Sequence, residues 1–466
     1  MKSVLRIFLI LLILSNYEQA FGTSSGCLLF DPSTEPPHRL DIVHKPTVVV
    51  EVDAFSTGTL FPDVIKSTYP SLGIVHVQST PEIEYPKFKK QFEAIQDQFK
   101  ENIPFNNNLD YIIKKLQTEY NVLFVIPGSE PGVLLANELS VRLGLINNGT
   151  QRSRAWRNKL LMQTVIKARG LESALTINSR KFSDILTWIH TENKGHWPVV
   201  LKPLASHGTN NVLFCNNEKE VRLAFNKIMS SKTQDGDENT SVVVQEYLAG
   251  DEFAVNIVGL GGNYYITEVW KYHKRKVNGA GAIYQYDEIV AYDDIPVELR
   301  EYAFNVLKAL EISNGPAHLE IKMVPDRGPV LVETAARFGG GKMPQGAKIA
   351  TGTNQVELTA MAYLAPVDFK KNIGHAYTVY QSIFFVDLYS LAANKILKFA
   401  DFEWIRKLPS FYPDSLVLFK KEGEVLPRTI DMSTSIGEVM LGHHDINQLH
   451  EDVVKIIDWE EKSFGR

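Results

Sequence analysis

Pro46-Thr47-Val48-Val49-Val50-Glu51-Val52 is a nearly unbroken apolar, β-branched run. Such a run reads as a strand inside a sheet that is covered on its faces. It passes through Phe55-Ser56-Thr57-Gly58 into a helical stretch near 59–68, and Gly73-Ile74-Val75-His76-Val77 reads as a second strand. Helical periodicity near 107–119 leads into the strand Asn121-Val122-Leu123-Phe124-Val125-Ile126. Pro127-Gly128-Ser129-Glu130 follows, and another helix runs to about 143. Strand, helix, strand, helix implies a parallel sheet of Rossmann type over residues 46–150. The glycine fingerprint of the dinucleotide-binding folds is missing, so this stretch alone does not establish a nucleotide.

The chain has 466 residues, enough for two or three domains. Residues 151–365 mix helices with strands joined by hairpins, an α+β pattern. Residues 366–466 hold strands at Tyr377–Val386 and Leu416–Lys420 and a last helix near 446–458. With 44% hydrophobic and 22% charged residues the chain is globular rather than disordered or fibrous. The net charge of −5 is mixed along the sequence with no basic stripe, which argues against a nucleic-acid partner. Internal repeats are absent, and the polar stretch Ser231–Asn239 reads as a surface loop.

The N-terminus is of another kind. Lys2 and Arg6 flank the start of an apolar run, Ile7–Leu14, and Ala20-Phe21-Gly22 places small residues where a signal peptidase reads. Residues 1–22 are therefore expected to be a secretory signal peptide, too short in its apolar core to span a bilayer. Nothing later is long and apolar enough for a stable membrane span. Residues 23–45, rich in Pro, Ser and Thr, read as a linker-like lead-in. The expected location is secreted or the secretory-pathway lumen. Asn148-Gly149-Thr150 and Asn239-Thr240-Ser241 are then acceptors for a glycoprotein. Cys27 and Cys215, the only cysteines, leave open whether they pair.

Chemistry collects further along. In His318-Leu319-Glu320-Ile321-Lys322-Met323-Val324 and Gly328-Pro329-Val330-Leu331-Val332-Glu333, two β-prone arms flank the turn formers Pro325-Asp326-Arg327-Gly328. Pairing the arms symmetrically about the turn sets Glu320 opposite Glu333, with Leu319, Ile321, Met323, Val330 and Val332 on one face and Glu320, Lys322, Leu331 and Glu333 on the other. Facing carboxylates repel unless they are solvated or share a cation, and a hard cation such as Mg2+ suits them. Both readings fit the hairpin alone.

Three more stretches carry polar residues at strand ends. Val199-Val200-Leu201-Lys202 delivers a lysine to a loop of small and hydroxyl residues, Ser206-His207-Gly208-Thr209-Asn210, able to wrap phosphate oxygens or to form an ordinary turn. Val242-Val243-Val244-Gln245-Glu246-Tyr247-Leu248 can offer backbone groups to an adenine edge, and Glu252 can accept ribose hydroxyls; a plain hairpin with solvated acids fits as well. In Glu333-Thr334-Ala335-Ala336-Arg337-Phe338-Gly339-Gly340-Gly341 an arginine suited to bidentate contact with carboxylate or phosphate precedes three glycines, which serve a hinge or close backbone approach.

The order of these pieces, Lys159, Lys202 with its loop, QEYLxGxE, the facing glutamates and ExxxRxGGG, resembles the ATP-grasp superfamily over roughly residues 46–460. Within it the chain looks most like the carboxylate–amine ligases that join amino acids into dipeptides. The resemblance implies a Rossmann-like pre-ATP-grasp domain, two α+β subdomains that clasp ATP, and a C-terminal β-rich extension. It implies that Lys159 and Lys202 contact ATP phosphates beneath a flap holding Ser206, Gly208 and Thr209. Glu246 and Leu248 would frame the adenine and Glu252 would hold the ribose. Glu320 and Glu333 would bind Mg2+, and Arg337, with Lys202, would act on an acyl phosphate, the N–H groups of Gly339 to Gly341 helping to stabilise the tetrahedral intermediate. The implied substrates are a small carboxylate and an amine, amino acids in kind, and a homodimer is one arrangement the resemblance allows.

The chain departs from the pattern at three places. Ala335 stands where many members have a metal-ligating Asn, with Thr334 or water as the expected substitute. His207 and Asn211 alter the flap. The histidine that relatives carry upstream of the first metal glutamate is missing from Ile283–Glu288, with His273 as the candidate replacement. These departures admit a second reading, a secreted non-catalytic ATP-grasp descendant that binds nucleotide or a small acid. A third is an ATP-grasp reaction other than ligation.

Overall fold

The computed structural model describes residues 45–83, 86–204, 212–232, 238–276 and 282–465. The expected signal peptide, the lead-in, Cys27 and the loop carrying Ser206, Gly208 and Thr209 lie outside the described residues.

β1 (Thr47–Val52), β2 (Gly73–Gln78), β3 (Glu101–Pro104) and β4 (Asn121–Pro127) form a parallel sheet in the order β3-β2-β1-β4. The valines of β1 explain why it is central. Val48, Val50 and Val52 pack beneath Ile112, Leu116, Ala136 and Leu139 on one face. Val49 packs on the other face against Phe61, Ile65, Val356 and Ala360. Each fully buried valine contributes about 1.5–3 kcal/mol relative to exposure. The chain reverses direction across the sheet between β1 and β4, and ligands collect outside the carboxyl ends of strands at such a point.

β5 (Thr176–Ser179), β6 (Val199–Pro203), β7 (Leu213–Cys215) and β8 (Val242–Glu246) make a four-stranded antiparallel sheet in the order β5-β8-β6-β7. Alternation sorts its faces. Val199, Leu201, Val242 and Val244 bury under the helices Phe182–Thr191 and Glu218–Met229, while Val200, Lys202 and Gln245 face a cavity.

β9 (Asp251–Leu260), β10 (Asn263–Lys276), β11 (Ala282–Ile289), β12 (Gly315–Val324) and β13 (Gly328–Ala335) belong to an eight-stranded antiparallel sheet. The last segment supplies its other strands, β14 (Ser382–Leu388), β16 (Val417–Leu418) and β18 (Gly437–His443); β15 (Lys395–Ile396) and β17 (Val425–Leu426) pair separately. The order is β13-β12-β9-β10-β11-β14-β18-β16, so residues beyond 366 continue the sheet of the segment before them. The helix Val297–Ala309 covers one face of β9, β12 and β13, and Met343–Thr351 packs on the other face of β10 and β14.

The β12–β13 hairpin pairs Glu320 with Glu333, the register expected from the sequence. Beyond that pair the expectation fails. A bulge sets Ile321 opposite Leu331, leaving Val332 as the extra residue. One added residue turns every later side chain to the other face. Leu331 therefore joins Leu319 and Ile321 in the core, whereas Val330 and Val332 pack with Ala174 and Leu248. The cause is the turn: Val324 pairs with Gly328 around three residues rather than symmetrically, with Asp326 and Gly328 at φ of 63° and 79°.

Candidate active site

A cavity of about 480 Å3 lies between the four-stranded sheet and the β9–β13 face of the large one, and Lys159, Lys202, Glu252, Glu320 and Glu333 all border it. Residues spread over 174 positions of sequence thus converge as the motif order suggested.

Lys159 opens the helix Lys159–Ala168, which Asn158 caps by accepting from the Leu161 N–H. A cation in a first helical turn opposes the helix dipole. Here it is balanced across the cavity, with Nζ at 3.1 Å from Glu333 Oε2. Lys202 is next to last in β6 and donates to Gln245 Oε1 at 2.9 Å. Burial, then the neighbouring Lys159, bring its ammonium down to about 8, against the pull of Glu333, Glu320 and Glu252. Below that pH the side chain is a cation aimed into the cavity. Nucleotide affinity is accordingly expected to fall as pH rises through about 8, by up to about tenfold per pH unit. Titration of ADP across that range checks this, and Lys202→Met is expected to flatten the dependence.

At one end Leu248 forms an apolar wall with Val330 and Val332, and Lys276 lies 4.4 Å from the Tyr247 ring centre. Glu246 borders the same end but is largely committed. Its N–H donates to the Leu175 carbonyl, and its carboxylate accepts from the Leu175 N–H at 2.8 Å and from Arg327 Nη1 at 2.9 Å. Glu246 therefore shapes this end through its backbone carbonyl and strand position. Glu252 is likewise engaged, with Lys274 Nζ at 2.6 Å and Lys322 Nζ at 3.3 Å. Burial pushes its carboxyl up, but the two lysines prevail and hold it below the ordinary value. Neither lysine was assigned to the site from sequence. Lys322 was detectable, since alternation put it on the face of Glu320.

Glu320 and Glu333 both turn into the cavity. Burial raises the Glu333 carboxyl, but Lys159 and Lys202 lower it further, to about 2. Two carboxylates on neighbouring strands in a cavity also lined by lysines fit Mg2+, which binds through one or two carboxylates and takes its other ligands from phosphates and water. No group of three or more His, Cys, Asp or Glu side chains able to hold a metal occurs among the described residues. Ala335 supplies no ligand, and Thr334 does not replace one, because its hydroxyl donates to the His318 carbonyl on the adjacent strand.

Arg337 lies in a small hollow with Lys159 and Glu333. Its Nε donates to Glu130 Oε2 at 2.8 Å and its Nη1 to the Phe338 carbonyl. Glu130, at the carboxyl end of β4, also holds Arg157 at 3.5 Å and was not assigned from sequence. The Gly339 N–H, expected to face a reaction intermediate, instead donates to Gln355 Oε1 at 2.7 Å, and its carbonyl accepts from Thr57. His273 bonds Glu288 at 2.9 Å and stacks on Tyr286, so it is tied to the β11 side of the sheet.

Other expectations resolve outside the cavity. Cys215 is buried, and its pairing with Cys27 lies outside the described residues. The Asn148 side-chain amide donates to the Asn314 carbonyl, and that of buried Asn239 donates twice to Ser231, so a glycan at Asn239 would have to break those bonds. No described helix is long and apolar enough to cross a membrane.

A clasped cavity with paired lysines, paired carboxylates and a half-buried arginine suits the phosphates of a nucleotide, on a mixed α/β architecture. Residues 196–345 match the ATP-grasp domain. The chain is 29% identical over 435 residues to dapdiamide A synthase of Enterobacter agglomerans, covering 90% of this chain and 97% of the relative. It is 23% identical over 220 residues to the L-arginine-specific L-amino acid ligase of Bacillus subtilis, covering 47% of this chain and about half of the relative, 52%. The crystal structure of an L-amino acid ligase from Bacillus licheniformis superposes with a TM-score of 0.66 at 17% identity, over 89% of this chain and 98% of that one. Residues 196–345 thus carry an ATP-grasp domain, and over most of its length the chain resembles the carboxylate–amine ligases of that superfamily.

Proposed function

We propose that this protein joins a small carboxylate to an amine in an ATP- and Mg2+-dependent reaction, releasing ADP and phosphate, and that both substrates are amino acids or close derivatives. The observation that carries this reading is the convergence of Lys159, Lys202, Glu320 and Glu333 on one cavity with Arg337 at its edge. The relative named as an L-amino acid ligase supports the substrate class.

The substrate carboxylate attacks the γ-phosphorus of ATP, breaking its bond to the β-phosphate bridge and giving an acyl phosphate and ADP. The amine then attacks the acyl carbon, phosphate leaves, and the nitrogen loses a proton. Glu320 and Glu333 would hold Mg2+, which would supply neutralisation of phosphate charge. Lys159 and Lys202 orient the phosphates, Leu248 and the backbone beside Glu246 receive the base, and Glu252 receives the ribose. Arg337 faces the negative charge that develops at the acyl phosphate and the tetrahedral oxygen. No covalent protein nucleophile is needed; placement and charge balance supply the acceleration.

Phosphate release with Mg-ATP and paired amino acids tests this. Release is expected only when both partners are present. Tight ADP binding with no release under any pairing would instead favour a non-catalytic descendant. We also propose secretory entry through residues 1–22. The mature protein, sequenced from its N-terminus, is expected to begin after Gly22, and an uncleaved Met1 terminus in cells would refute it.

A further inference from the structure

Behind the cavity, a row of buried polar side chains crosses three strands. His318 on β12 pairs with Asn256 on β9, which pairs with Glu268 on β10. Asn256 and Glu268 are fully buried and His318 nearly so. Asn256 Nδ2 donates to Glu268 Oε1 at 2.6 Å, Asn256 Oδ1 meets His318 Nδ1 at 2.7 Å, and His318 Nε2 lies 3.7 Å from Glu320 Oε1. His318 and Glu320 are two apart on one strand and so share a face. Burying three polar side chains costs free energy that an apolar row would not. Glu268 Oε2 makes no hydrogen bond among the described residues, and burial pushes that carboxyl up to about 7. Such a row calls for a use beyond stability.

The same amide supports the loop after Arg337. A β-carbon at Gly339 would come within 2.7–3.0 Å of the Asn256 amide atoms, so only glycine lets the backbone rest there. Gln355, also fully buried, accepts from the Gly339 N–H and donates to the carbonyls of Ile257 and Ala317, the residues adjoining Asn256 and His318. Glu320 and the Arg337 loop thus stand on one footing.

We propose that His318 and Asn256 are positioning residues, which orient Glu320 toward the metal and seat Gly339, so that the metal carboxylate and Arg337 keep a fixed spacing. The inference rests on the ligase reading, in which Glu320 binds Mg2+.

The test is Mn2+ binding to the full chain with ADP, followed by calorimetry, beside the Mg2+ dependence of phosphate release. His318→Gln is expected to weaken metal affinity by about 10–100-fold, the usual effect of removing a ligand's supporting partner, with metal-free ADP affinity unchanged. Its turnover at saturating Mg2+ should stay within a few-fold of the parent. Asn256→Ser is expected to weaken metal binding in the same direction and also to lower saturated turnover, because the Gly339 loop loses its seat. It decides the matter if His318→Gln does not fold. Unchanged metal affinity in Glu320→Gln would sink the metal assignment itself. Weakened binding in Glu320→Gln with parental affinity in the His318 and Asn256 variants would overturn this inference alone.

Discussion

An Arg337→Ala enzyme is expected to lose about 10²–10³ of its ligation turnover, the usual effect of removing one preorganised donor to a developing oxyanion, while binding Mg-ADP within a few-fold of the parent. The guanidinium is held in advance of the reaction. Glu130 takes its Nε and the Phe338 carbonyl takes Nη1, and the side chain borders the hollow shared with Glu333 and Lys159. The phosphate-facing lysines are on other elements, which is why nucleotide affinity should persist. Arg337→Lys is not expected to rescue turnover, because a single ammonium cannot reproduce the planar fork that Glu130 orients. Glu130→Gln keeps one acceptor and should cost less, about tenfold. Steady-state ligation and ADP titration separate the two effects; turnover in Arg337→Ala within a few-fold of the parent would exclude the role given to this side chain.

What the sequence revealed of this fold follows from how local each signal is. β1 was plain because helices cover both its faces and leave no polar alternation. The Glu320–Glu333 pair was plain because a hairpin's register near its far end follows from the turn, and the odd turn and the bulge offset each other by that point. Between them they do not, and Leu331 and Val332 exchanged faces. β3 and the helix Pro86–Glu93 escaped notice. Ile103 is the only buried side chain of β3, and the helix buries only Phe92, so neither shows a period. The last helix runs to Phe464, beyond the expected end near 458. In the site, residues announced by a strand end were found: Lys202, Glu252, Glu333. Partners set by tertiary packing were not. Glu130 reaches Arg337 across 207 positions, and Lys274 reaches Glu252 from the next strand. Thr334 was misjudged for a local reason, since its neighbour Glu333 points into the cavity and strand alternation turns the threonine away from it.

Glu333→Ala is expected to combine the largest loss of activity with a loss of stability. With Glu320 and Glu333 as the proposed metal carboxylates, removing one forfeits several kcal/mol of charge neutralisation, so turnover should fall by about 10³ or more. Stability falls for a different reason. Lys159 and Lys202 are nearly buried, at 7% and 4% exposure, and Glu333 is a shared counter-charge. Breaking a buried ion pair costs about 3–5 kcal/mol. Lys202 limits that cost, because its ammonium is already down to about 8 and falls further without Glu333, letting it shed its proton. A loss near the lower end, about 3 kcal/mol, is therefore expected. The pH dependence identifies the source. In the parent the Glu333 carboxyl sits at about 2 when folded, against an ordinary 4.5. Its contribution is complete above the ordinary value and is lost as pH falls from 4.5 toward 2. Carboxyls raised by burial, such as Glu51 and Glu268, act in the opposite sense but equally in both proteins. The difference between parent and variant isolates Glu333: the two stability curves should be farthest apart at neutral pH and converge in acid. Parallel curves throughout would mean that Lys159 and Lys202 are balanced by another acid, and that Glu320 rather than Glu333 carries the pairing.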